Sequence, residues 1–112
     1  MKNFIVIYHA PEIWNERPEA TQEDMEKGMQ EWMKWAEKCG DRLVDMGSPL
    51  IGGLKLSPGG SSEKSNRQVV GYSILKAADM EEARSLLDGH PHLDWDASCE
   101  IEVHETMPAP GQ

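Results

Sequence analysis

The sequence is short of most features that announce a function. Its 112 residues hold two cysteines, one phenylalanine and no apolar run near the ~18–20 residues that a membrane helix needs. Cys39 and Cys99 stand far apart in the chain, so by themselves they build neither a disulfide framework nor a zinc site. The opening stretch MKNFIVIYHAPE carries a brief apolar run, too short for a signal-peptide core and without a small-residue cleavage site. A cytoplasmic location with reduced thiols is therefore expected. Positive charge is also scarce. Eleven Lys and Arg against 20 Asp and Glu leave a net charge of −9. The basic residues are scattered, which excludes nucleic acid and anionic membrane surfaces as expected partners. No G-x-x-x-x-G-K-[ST], G-x-G-x-x-G or G-x-S-x-G occurs, so phosphate loops, dinucleotide sites and nucleophile-elbow hydrolases lack support, and no cofactor is expected.

What is present is material for one modest core. The length predicts a single domain over 1–107 with a flexible tail at 108–112. Phe4–Tyr8 is apolar at successive positions and reads as a central strand buried on both faces. The loop Glu12–Pro18, with Trp14, ends it. A helix follows from Thr21 to Cys39. Acidic residues fill its first turn, and Met25, Met29, Trp32, Ala36 and Cys39 recur at helical spacing, with Met33 and Trp35 widening the stripe. Gly40 stops it. Arg42–Gly47 predicts a second strand, extended past a bend by Leu54–Leu56. Ser57–Asn66 reads as hairpin loop and Gln68–Leu75 as a third strand. Asp79 and Glu82 form a capping-box pattern at the start of a second helix, with Met80, Ala83, Leu86 and Leu87 as its buried stripe. Gly89 and Pro91 stop that helix, and Cys99–His104 alternates as a fourth strand.

The order β-α-β-β-α-β predicts an α+β, ferredoxin-like domain: a four-stranded antiparallel sheet with two helices on one face. The other face then needs a cover. A second copy of the chain is the simplest one, so a homodimer through the sheet face is expected.

This topology gathers candidate chemistry at one end. His9 closes the first strand, and the segment Gly89-His90-Pro91-His92-Leu93-Asp94-Trp95-Asp96 precedes the fourth, antiparallel to it. Imidazoles exchange protons near neutrality. One reading makes His90 the proton carrier, with Asp94 orienting an imidazole and His9, His92, Trp95 and Trp14 contacting a small organic ligand, without a cofactor. The other makes the segment a structural loop of a non-catalytic binding or accessory module. A metal is not expected, because H-P-H is no metal signature and neither cysteine sits at a paired spacing. Cys99 reads as a buried structural thiol, and His104 as a polar-face residue of the fourth strand.

Four segments in order, FIVIYHAPE, RLVDMGSPL, VVGYSILKAADMEEARSLLDGHPHL and IEVHETMP, resemble the YciI-like (YCII-related) family of the dimeric α/β-barrel superfamily. The resemblance implies a ferredoxin-like protomer whose sheet packs on a partner's, in a family mostly of unassigned function. Some members carry a first-helix histidine and a late aspartate before proline, suggested to act as a catalytic pair. The matching positions here fall near Met29 or Gln30 and on His90, so this chain places an imidazole where those members have an acid.

Overall fold

The structure is a computed structural model that describes residues 1–11, 22–95 and 97–108, with the backbone alone at 22–25 and 95. The main sheet joins β1 (Lys2–His9), β2 (Leu43–Asp45), β5 (Val69–Ala77) and β6 (Glu100–Glu105) in the order β2-β5-β1-β6. Every pairing is antiparallel. This α+β arrangement is consistent with a ferredoxin-like fold.

Alternation along the strands decides the layers. In β1, Phe4, Val6 and Tyr8 are buried, while Asn3 and Ile5 are exposed and Ile7 and His9 half-buried. In β5 the buried set is Gly71, Ser73, Leu75 and Ala77. Among the described residues only one face of the sheet is covered, so these do not bury β1 on both sides as its composition predicts. Ile5 lies opposite Ile74 and Ile7 opposite Tyr72, which places these four on the uncovered face.

The covering layer is α1 (Gln22–Cys39), α2 (Met80–Leu86) and α3 (Pro91–Trp95). Val6, Tyr8, Trp35, Cys39, Leu75 and Leu87 form the main core, flanked by Trp32, Ile101 and Val103. The α1 stripe differs from the expected one: Trp32, Trp35 and Cys39 face the sheet, whereas Met29 and Met33 are exposed. Helical spacing alone allowed a wider stripe than the side of α1 that the sheet covers. Met80 is likewise exposed at the start of α2, while Ala83 and Leu87 are buried. The N-terminus of α2 is capped as its sequence predicts. Asp79 Oδ1 accepts from Glu82 N–H at 2.9 Å, and Glu82 Oε1 accepts from Ala78 N–H at 3.2 Å. Glu82 also pairs with Arg42 in the single 3-10 turn Gly40–Arg42.

Two local readings need correction. Ser57–Asn66 is not loop throughout, because Ser62–Lys64 forms β4 against β3 (Leu54–Leu56), with Leu54 opposite Lys64 and Leu56 opposite Ser62. Ser-Glu-Lys has little strand preference, and its partner supplies the order. This two-stranded arm stands apart from the main sheet. The segment after Gly89 is also not wholly loop, since Pro91 opens α3, a position that suits its fixed φ.

The root of the arm is crowded. Gly47 has φ +82, and a Cβ there would stand 1.7 Å from the Tyr72 carbonyl oxygen. Only glycine lets the chain pass so close to β5. Leu50 N–H donates to Val70 O at 2.9 Å, which prolongs the ladder beyond β2.

Candidate functional site

The register slips between Tyr8 and His9 at the end of β1. Tyr8 turns toward the helices and His9 toward the uncovered face. Gly89, at φ +71, delivers the chain into His90. His90 N–H donates to Leu87 O at 3.1 Å and Leu93 N–H to His90 O at 3.0 Å, which fixes a tight turn around the imidazole.

The His90 ring is fully buried. Its Nδ1 accepts the His92 backbone N–H at 3.0 Å, so the proton of the neutral ring resides on Nε2. Nε2 lies 3.2 Å from the Tyr8 hydroxyl, which lies 2.8 Å from Ser73 Oγ. Ser73 donates to Met46 O at 2.7 Å. Both ends of the chain are backbone groups, and they set its direction: His90 donates to Tyr8, Tyr8 to Ser73, and Ser73 to Met46. Aromatic rings close around it. Trp35, Trp32 and Tyr8 have centroids 4.3, 4.5 and 5.1 Å from that of His90. Burial, with a smaller contribution from His92, pushes His90 down to about 3. Burial also raises the Tyr8 phenol, against the opposing pull of its bond to Ser73.

His92 is buried as well, and its Nε2 donates to the His9 carbonyl at 2.9 Å. Burial lowers its pKa, while bonds to the His9 and Glu100 backbone pull the other way. It ties α3 to the ends of β1 and β6.

His9 has a different environment. Its Nδ1 donates to Arg67 O at 2.8 Å, and its Nε2 lies 3.1 Å from Glu102 Oε1. Both partners are acceptors, one a backbone carbonyl and the other a carboxylate. His104 Nε2 lies 3.7 Å from the same carboxylate oxygen. The bond to His9 holds the Glu102 carboxyl below its ordinary range.

The structure thus brings His90 and His92 together on the helix side and bonds His92 to the His9 carbonyl, while the His9 ring lies on the other face of the sheet. Asp94 is exposed on α3, and the contact expected to orient an imidazole comes to His90 from the His92 backbone instead. Trp14 lies outside the described residues. Trp95 ends α3, and only its backbone is described. Sequence reading missed Tyr8, Ser73, Trp32, Trp35 and Glu102. Ser73 carried the clearest signal, as a hydroxyl at a buried-parity position of an apolar strand. Among the described residues, no three His, Cys, Asp or Glu side chains are grouped as a metal ion would need, and no helix is long and apolar enough to cross a membrane.

A groove of about 360 Å³ adjoins this cluster. Trp35, Gly89 and Pro91 form its wall nearest His90, and Lys34, Lys38 and Asp94 are among the charged residues around it. Lys38 Nζ donates to Asp88 O at 2.9 Å across it.

Compared with known proteins, the chain matches no family model and no curated protein. A similar solved structure is 5-chloro-2-hydroxyhydroquinone dehydrochlorinase (TftG) from Burkholderia phenoliruptrix AC1100, in complex with 2,5-dihydroxybenzoquinone. The two are 16% identical with a TM-score of 0.43, over 89% of this chain and 90% of that one.

Proposed function

We propose that the chain binds a small polar organic molecule in the groove beside the His90 turn. The groove carries this reading: its volume of about 360 Å³ falls in the roughly 300–1,000 Å³ range of small-ligand sites. It combines an indole wall with charges of both signs. In this reading the buried His90–Tyr8–Ser73 chain is a rigid floor, because a neutral imidazole with both nitrogens engaged neither gives nor takes a proton near pH 7. The test is a thermal-shift screen of small carboxylic acids, amines and phenols on the whole protein. Hits that vanish in Lys34→Glu and Asp94→Lys but persist in His9→Ala place binding in the groove. A screen in which no compound shifts the melting curve overturns the reading.

Turnover by histidine acid–base chemistry, with His90 as proton carrier, is the second reading. The continuous link from His90 to the Tyr8 hydroxyl favours it, but it requires the aromatic cage to open to water. A metabolite-turnover screen in which His90→Asn abolishes product formation and keeps ligand binding supports it. Unchanged turnover removes it.

The proposal places the protein in the cytoplasm as a YciI-like homodimer of the dimeric α/β-barrel superfamily. Support comes from the four ordered sequence segments and from the uncovered sheet face bearing Ile5, Ile7, Tyr72 and Ile74. Sedimentation at micromolar concentration should give a dimer that Ile5→Glu dissociates. A monomeric parent chain removes the dimer and leaves the groove.

A further inference from the structure

We propose that the β3–β4 arm of one protomer lies across the uncovered sheet face of a second copy of the chain. The inference rests on the sheet-face dimer reading and names what else would cover that face.

The arm is amphipathic. Leu54 and Leu56 lie on one of its faces by alternation, and the Lys55–Glu63 ion pair, at 2.7 Å, occupies the other. Leu54 is 62% exposed, Leu56 74% and the adjoining Ile51 85%. Neither strand makes an extended contact with any other element among the described residues. A lone two-stranded hairpin is marginal in water without a packed face, so this one calls for a cover that the other described residues of its protomer do not supply.

Charge selects the partner. Lys55, Lys64 and Arg67 against Glu63 alone leave the segment from Leu50 to Gln68 at +2, within a chain of −9. The uncovered face carries Glu100 and Glu102 from β6 and Asp45 from β2, by their pairing with His9, Ile7 and Ile74, and Lys76 from β5, opposite Asn3. An apolar, basic ribbon therefore complements an apolar face on which three carboxylates outnumber one lysine. Ala10 N–H donates to Gln68 O at 2.9 Å and His9 Nδ1 to Arg67 O at 2.8 Å, which sets the base of the arm at the end of that face. At about 3.3 Å per residue β3 spans roughly 10 Å, and the linking residues 50–53 add reach toward the roughly 15 Å width of four strands. A two-fold axis would make both arms equivalent.

Three chains are compared by sedimentation equilibrium and far-UV circular dichroism: the parent, Leu54→Glu/Leu56→Glu, and Ile5→Glu. The expected result is a dimer that the arm substitutions weaken at least about tenfold in Kd, with the circular dichroism of the parent retained. A parent dimer that the arm substitutions leave at full strength, while Ile5→Glu dissociates it, overturns the arm and preserves the sheet-face dimer. A monomeric parent overturns both. Mild oxidation of mixed Leu56→Cys and Ile5→Cys chains is expected to trap the mixed disulfide. Trapping of Leu56→Cys with itself alone would place arm on arm and overturn the proposal.

Discussion

The two faces of one sheet carry the same residue type to opposite ends. On the helix side, His90 and His92 are buried, bonded to backbone and held neutral. On the uncovered side, His9 and His104 flank a carboxylate within reach of water. A shift of one residue along β1, from Tyr8 to His9, is enough to cross from one regime to the other. Spacing in sequence brings imidazoles to a place, and strand parity together with a second layer decides their chemistry. Where helices cover the sheet, desolvation outweighs any benefit of charge. Where no described residue covers it, the ring meets a carboxylate and water instead.

The sharpest way to break this comparison is to empty the buried side. His90→Ala leaves a cavity between two indoles, removes the donor to the Tyr8 hydroxyl and strands the His92 N–H, and it should cost about 3 kcal/mol in urea unfolding. Acid comes next. Because the His90 pKa is lower folded than unfolded, the unfolded chain binds a proton that the folded one refuses. Stability is therefore intact above pH 6.5 and falls on acidification from there toward about pH 3. Urea midpoints measured against pH should show this slope, and His90→Gln should flatten it. Tyr8→Phe keeps the ring packing but leaves His90 Nε2–H without an acceptor, so a loss of about 1–2 kcal/mol is expected in the same assay. On the other face, Glu102→Gln should leave the melting temperature of the protomer unchanged, because exposed ion pairs contribute little. A large drop there would mean that the two faces are less different than their burial implies.

The sheet was legible because apolar runs and glycine-proline punctuation mark strands directly, and Asp79 with Glu82 wrote the start of α2 in side-chain chemistry. That the His90–His92 segment comes back to the end of β1 followed from strand order; that the His9 ring turns to the other face depends on strand parity. Their states did not, since the ring tautomer of His90 depends on a backbone N–H two residues on, and its burial depends on indoles from α1. Met29 and Met33 share the helical period with Trp32, and only the packed layer distinguishes the side it covers from the side it leaves bare. Strand β4 was hidden because Ser-Glu-Lys owes its conformation to Leu54–Leu56 across the ladder. The groove was illegible for a related reason: its walls come from α1 and from the turn that leads into α3, far apart in the chain.

Gly47 extends this to the arm. With no room for even a methyl group against the Tyr72 carbonyl, the strand pair is pinned where the arm departs. The tie runs on to Leu50, whose N–H donates to Val70 O, so the chain leaves for the arm from one set point on the edge of β5, and the arm's reach is counted from there.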